Sequence, residues 1–120
     1  MGEHSVIGWD TLCYCQAPIT LAEFAIVSQR VHLCAGTHDI NDPNFQLVTQ
    51  PIQIGRHAWV AADAFVGPGV TIGEGAVLGA RAVTFKDLKP WSVYIGNPAS
   101  QLKTRQRSVS IGADGGANNH

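Results

Sequence analysis

His38 closes the segment LCAGTH, and the chain then runs through DINDPNFQ before any regular pattern returns. A neutral imidazole, with an ordinary pKa of about 6.5, is suited to taking a proton from a hydroxyl near neutral pH. Asp39 follows directly and could orient that ring or a hydroxyl-bearing substrate, or simply open a turn. His32 and His57 raise metal chemistry as an alternative, a zinc site between subunits. The chain also carries Arg81, Lys86, Lys89, Lys103, Arg105 and Arg107 against only Asp87 and Asp114 from position 81 onward. On a chain of net charge −1, that local excess suits one anionic ligand or a solvated surface better than a polyanion. Cys13, Cys15 and Cys34 are odd in number and spaced C-Y-C. They fit neither a disulfide framework nor a CxxC site, and read as small core hydrophobes in a reducing compartment. With no signal-peptide pattern and no run of about 18 apolar residues, the 120 residues are expected to form one soluble, cytoplasmic domain.

What could position these groups is a beat of six. From Ile54 the chain reads IGRHAW, VAADAF, VGPGVT, IGEGAV, LGARAV. The first column is Ile54, Val60, Val66, Ile72, Leu78; the second is Gly or Ala; the fifth is Ala58, Ala64, Val70, Ala76, Ala82. Neither a helix at period 3.6 nor strand alternation produces this. Reading back from His38, the same frame gives LCAGTH, VSQRVH, LAEFAI, CQAPIT, WDTLCY and EHSVIG. Its first column is Leu33, Val27, Leu21, Cys15, Trp9 and Glu3, and its fifth includes Ile19, Cys13 and Ile7. A triangular solenoid explains the period: one short strand and one corner per hexad, three hexads per coil. Aliphatic residues stack inside, and Gly or Ala in the second column lets the backbone turn. Eleven hexads make about four coils.

Asp39 to Gln53 is fifteen residues, not a multiple of six. This stretch is therefore expected to leave the prism as a loop, rich in turn formers and carrying Phe45, Leu47 and Val48 to pack on another surface. His38 would be the last residue held by the scaffold. After Val83 the beat ends; Pro90 and the GNP turn punctuate the remaining chain, and ASQLKTRQR is expected to form a short amphipathic terminal helix. The domain spans 3–105, and the Gly/Asn/Ser-rich tail 106–120 is expected to be disordered. Because the repeat begins almost at Met1, the first coil is expected to be uncapped or covered by a partner subunit.

The hexads, then VTIGEGAVLGARAV, Lys86-Asp87 and GNPA (Gly96 to Ala99), resemble the hexapeptide-repeat acyltransferases, whose fold is an all-β, left-handed parallel β-helix. LCAGTHD, IGRHAWVAADAFVGPGVTIG and LGARAVTFKDL together are similar to the branch of sugar O-acetyltransferases associated with colanic-acid-type exopolysaccharide synthesis. The likeness covers roughly Ser5 to Arg105. It implies an acetyl-CoA-dependent O-acetyltransferase acting on a sugar hydroxyl as a homotrimer with sites between subunits, and no metal. His38 would be the general base, with Asp39 beside the acceptor.

The resemblance also implies where coenzyme A would lie. Ala62 and Ala80 are eighteen residues apart, one coil, and their backbone groups would meet the pantetheine arm. Trp59 would line the thioester region, and Lys86 would stand near the nucleotide. Lys103 or Arg105 would meet the terminal phosphate, and Arg81, where the wider family has Gly, is a CoA or subunit contact. Family members usually carry a longer N-terminal region, so a second reading stays open: a shortened, non-catalytic trimeric module that still binds CoA. A drug-inactivating acetyltransferase of the same fold is a weaker third, since the loop lacks that branch's Asn-His and TTYPF-like motif.

Overall fold

The computed structural model describes residues 2–14, 17–38, 41–44 and 47–106, with the side chains of Tyr14, Thr37 and His38 left aside. Its regular elements are all strands. β1 (Val6–Ile7), β4 (Ile26–Val27), β9 (Trp59–Val60), β12 (Val77–Leu78) and β14 (Ser92–Ile95) stack in parallel as a first face. β2 (Leu12–Tyr14), β5 (His32–Cys34), β10 (Phe65–Val66) and β13 (Val83–Thr84) form the second. β3 (Ile19–Leu21), β8 (Ile52–Ile54) and β11 (Thr71–Ile72) form the third, which a parallel bridge from Ile72 to Leu88 extends. Three parallel faces visited in rotation are the triangular solenoid expected from the beat, and they fit a left-handed β-helix.

The interior is built from two columns. Leu21, Val27, Leu33, Ile54, Val60, Val66, Ile72 and Leu78 stack from the first, and Ala25, Val31, Ile52, Ala58, Ala64, Val70, Ala76 and Ala82 from the fifth, all buried. Burying the first-column side chains contributes roughly 1.5–3 kcal/mol each before conformational entropy is counted.

Corners follow one geometry. The fifth-column N–H donates to the second-column carbonyl, as in Ala58 to Gly55 and Ala82 to Gly79, both 3.1 Å. Positive φ falls on the fourth column: His4, Asp10, Phe24, Arg30, His57, Asp63, Arg81 and Trp91 lie between 55° and 63°, and Gly69 and Gly75 at 76° and 70°. The second-column glycine serves a different purpose from the turning expected of it. A Cβ on Gly55 would stand 2.8 Å from the Glu74 nitrogen and the Ile72 oxygen, so its smallness admits the next coil.

Register partners show where the beat slips. They are 18 residues apart in the regular coil, as in Phe65 and Val83, but 20 in the first, as in Cys13 and Leu33. Ile7 and Cys13 therefore belong to the first column, and Trp9, placed there by the sequence frame, is 63% exposed. Two extra residues between Cys13 and Leu21 shift the frame. In the last coil the spacing is 16, Ile72 to Leu88 and Val77 to Val93. The beat thus continues past Val83, with Thr84, Leu88 and Tyr94 buried in the stack. Thr84 is tolerated there because its hydroxyl donates to the Lys86 carbonyl at 2.8 Å and accepts the Lys86 N–H at 3.2 Å.

Two further expectations are corrected. The loop begins earlier and ends earlier than 39–53. Its neck is the 2.9 Å bond from the Gln50 N–H to the Ala35 carbonyl, and β6 (Gly36–His38) pairs antiparallel with β7 (Leu47–Thr49) beyond it. The third-face strand straddles the hexad boundary, so Ile52 and Gln53 are already in the prism, paired with Ile19 and Thr20. The C-terminal segment is a strand rather than a helix: β15 (Ser100–Thr104) pairs antiparallel with β14. β14 would otherwise be an open edge whose backbone groups need partners, and that need outweighs a weak helical pattern. Arg105 fixes the end of this cap, donating to the carbonyls of His57 (3.0 Å) and Gly75 (3.1 Å) and lying 5.5 Å from the Trp91 ring. Residues 107–120, most of the expected tail, lie outside the described residues.

The corner between first and second faces stacks Asp10, Arg30, Asp63 and Arg81, alternating in sign. Arg30 holds Asp63 through two bonds of 2.9 and 3.1 Å and lies 5.1 Å from the Trp9 ring. That hydrogen bond, then the positive charge, holds the Asp63 carboxyl below its usual value.

Replacing Gly55 by Val should overpack the coil contact and lower stability by about 1–3 kcal/mol, read from the urea midpoint. Replacing Arg30 by Ala should lower the melting temperature near neutral pH. Because Asp63 has a depressed value in the folded state, its contribution is present above the ordinary aspartate range and lost as pH falls through the folded value. The gap between the two proteins should therefore close in strong acid; a gap that persists there would rule out the ion pair as its source.

Candidate active site

The structure distributes the expected residues over the three corners. On the corner between first and second faces, Ala62 and Ala80 stack one coil apart, and the Arg81 N–H donates to the Ala62 carbonyl at 2.9 Å. Ala62 is half-buried, and Ala80 and Arg81 are exposed, so this edge presents small side chains beside backbone. Trp59 projects from β9 on the adjoining face, half-buried. Its indole N–H donates to the Ser28 hydroxyl at 2.8 Å, on the same corner one coil below. Trp59, Ala62, Ala80 and Arg81 therefore share one edge.

The second corner, between second and third faces, carries the neck and the β6–β7 hairpin. His38 lies in β6 opposite Leu47, three residues beyond the neck residue Ala35, and so stands on the hairpin rather than on the prism itself. Asp39 falls outside the described residues. Lys86 is exposed at the same corner, two coils above. In one chain, then, the His38 corner and the Ala62/Ala80 edge are different corners of the prism.

The third corner holds a ring ladder that sequence spacing alone did not reveal. His4 stacks on Phe24 at 5.0 Å and Phe24 on His57 at 5.1 Å, while Trp91 lies 6.5 Å from His57. A Cβ on Gly75 would strike the Trp91 ring, which is how Trp91 passes over that level. The signal available was a fourth-column aromatic recurring coil after coil, obscured by the unequal coil lengths. Arg105 closes this ladder, and burial lowers its guanidinium from the ordinary value. Lys103 lies on β15 opposite Val93, exposed at the upper edge of the first face. His32 packs edge-on against Phe65 at 5.0 Å on the second face, well away from the His57 ladder. Among the described residues, no three His, Cys, Asp or Glu side chains stand together as a metal site. No helix of the described residues is long and apolar enough to cross a membrane.

Sequence and structure comparisons agree with the fold. Residues 51–86 match the family described as bacterial transferase hexapeptide (six repeats). The chain is 41% identical over 105 residues to WcaF of Escherichia coli (strain K12), whose name assigns it to colanic acid biosynthesis as an acetyltransferase; the match covers 88% of this chain and 58% of that protein. Among solved structures, a maltose O-acetyltransferase from Clostridium difficile 630 superposes with a TM-score of 0.83 at 26% identity, covering 88% of this chain and 58% of that one. The N-acyltransferase AntD from Bacillus cereus, solved with dTDP-4-amino-4,6-dideoxyglucose and coenzyme A, gives 0.78 at 27%, covering 87% and 62%. The chain thus spans about three-fifths of the length of these relatives. With its beat of six, its three-faced parallel stack and these matches, the chain is a member of the hexapeptide-repeat transferase family.

Proposed function

We propose that this chain carries the β-helix of an acetyl-CoA-dependent O-acetyltransferase acting on a hydroxyl of a sugar or polysaccharide precursor in the cytoplasm. The observation that carries this reading is the 41% identity to WcaF across 88% of the chain. Support comes from the sugar O-acetyltransferase and the CoA-bound acyltransferase among its structural neighbours.

The chemistry is a direct transfer. The acceptor hydroxyl attacks the thioester carbonyl while the His38 imidazole takes its proton. The resulting oxyanion collapses, the carbon–sulfur bond breaks, and the CoA thiolate leaves and is protonated. The small-residue edge at Ala62 and Ala80 offers backbone groups to the amide-bearing pantetheine arm. Trp59 borders the thioester end and Arg81 flanks the arm. Lys86, on the hairpin corner of a neighbouring chain, would stand near the nucleotide, and the exposed Lys103, rather than the cap-bound Arg105, would meet phosphate. Asp39 would stand beside the acceptor.

His38 and the Ala62/Ala80 edge occupy different corners, so a complete site calls for the edge of one chain against the hairpin of another. A homotrimer supplies that arrangement. Exposed apolar side chains on the outward rows of the first and second faces, Val6, Ile26 and Leu12, suit burial between such copies.

Incubation with acetyl-CoA and a panel of sugars and nucleotide-sugars should release thiol, and His38→Ala should slow release by about 10²–10⁴-fold. Thiol release unchanged in His38→Ala would remove the histidine from the mechanism. CoA binding with no turnover on any acceptor would point instead to a non-catalytic binding module.

A further inference from the structure

The three faces of the prism differ in what they turn outward. The outward row of the first is Val6, Ile26 and Trp59, and of the second Leu12, His32, Phe65 and Val83. The third presents Thr20, Gln53 and Thr71, stacked in register and all exposed. These uncharged hydroxyl and carboxamide groups recur at the strand spacing of about 4.8 Å. No apolar side chain interrupts them.

Where this row meets the second corner lies an open cleft of about 270 Å³, lined by Gln50, Pro51, Gln53, Gly69 and Thr71. It sits at the foot of the hairpin. The Gln50 N–H makes the neck bond to Ala35 at 2.9 Å, and the Gln50 carbonyl accepts the Gly69 N–H at 3.3 Å. Gly69 is needed here twice over: its φ is 76°, and a Cβ would strike the Gln50 Oε1. The bare corner leaves the Gln50 carboxamide room over the cleft.

The lining selects its ligand by what it offers and what it lacks. Two carboxamides and a hydroxyl supply both donors and acceptors. Among the described residues no cation lines the cleft, and the Asp87 carboxylate lies beside it, accepting the Thr71 N–H at 2.8 Å. Lys86 is on the neighbouring corner and does not line it. A phosphorylated ligand would find no counter-charge, and an apolar one would strip water from amides without replacing it. A sugar ring matches. The volume falls just below the roughly 300–1,000 Å³ of sites for drug-sized ligands, which suits one ring, with further rings resting on the open row.

We propose that this cleft and the polar third face form a track for a neutral oligosaccharide, distinct from the Ala62/Ala80 edge. Resting on the acetyltransferase reading, it makes the acceptor a glycan of two or more residues rather than a nucleotide-linked sugar. The glycan lies along Thr20, Gln53 and Thr71 and reaches the hairpin that bears His38.

Binding can be measured without acetyl-CoA, on immobilised neutral oligosaccharides beside nucleotide-sugars. The natural chain should retain neutral oligosaccharides, and Gln53→Val with Thr71→Val should weaken retention about tenfold or more. The melting temperature should hold, since valine suits a strand. In turnover, the pair should raise the acceptor KM and leave the acetyl-CoA KM unchanged. No retained neutral glycan, retention indifferent to the pair, or retention of nucleotide-sugars alone would overturn the track. Acetylation of a nucleotide-sugar at the same efficiency in the paired variant would also sink it, leaving the acetyltransferase reading intact. Glycan retention at this face without thiol release would do the reverse.

Discussion

Everything in this molecule depends on how closely one coil can lie on the next at the corners. Main chain approaches main chain there: Arg81 bonds the Ala62 carbonyl at 2.9 Å, Trp91 the Glu74 carbonyl at 2.9 Å, Gly75 the Arg56 carbonyl at 2.8 Å. In the regular coils a residue with little or no side chain takes the second column, and a left-handed residue takes the fourth. The non-glycine residues at the fourth column carry a modest conformational cost, offset by the bonds and stacking their position permits. That constraint gives each corner one outward side chain per coil, aligned vertically. The corners become ladders, and each ladder takes the character its residues give it: alternating charge, stacked rings, or the hairpin neck with the bare Gly69.

The same geometry makes the prism a ruler for function. Ala62 and Ala80 form an edge of small side chains beside backbone, which the proposed function assigns to a long amide-bearing arm. A hairpin inserted at another corner carries His38 away from the main wall. In the proposed acetyltransferase, separating the two on one chain would make chemistry a matter between chains and leave the polar third face to the acceptor.

Much of this was legible. The columns Ile54 to Leu78 and Ala58 to Ala82 specify a triangular stack because no other packing needs a buried residue at every sixth and fifth place. The fifteen-residue gap announced a loop, and the register confirms its length: Ile26 pairs with Trp59, 33 residues on, which is 18 plus 15. The limits of the loop were not legible. A strand that straddles the hexad boundary lets Ile52 take the buried place Thr37 seemed due, and only pairing reveals the exchange. The first and last coils misled for a related reason, since 20 and 16 residues break a beat of six without ending the stack.

The sequence by itself determined the period, the core columns and the residues able to do chemistry, because these follow from side-chain type at fixed spacing. Tertiary structure decided which corner each residue occupies, because corner identity depends on the summed lengths of all preceding coils. It also decided that Ser100–Thr104 is a strand, since an unpaired β14 edge offers hydrogen bonds that local preference cannot anticipate. Arg105 shows the difference most plainly: by type a phosphate ligand, by position the clasp of the cap, bonded to His57 and Gly75.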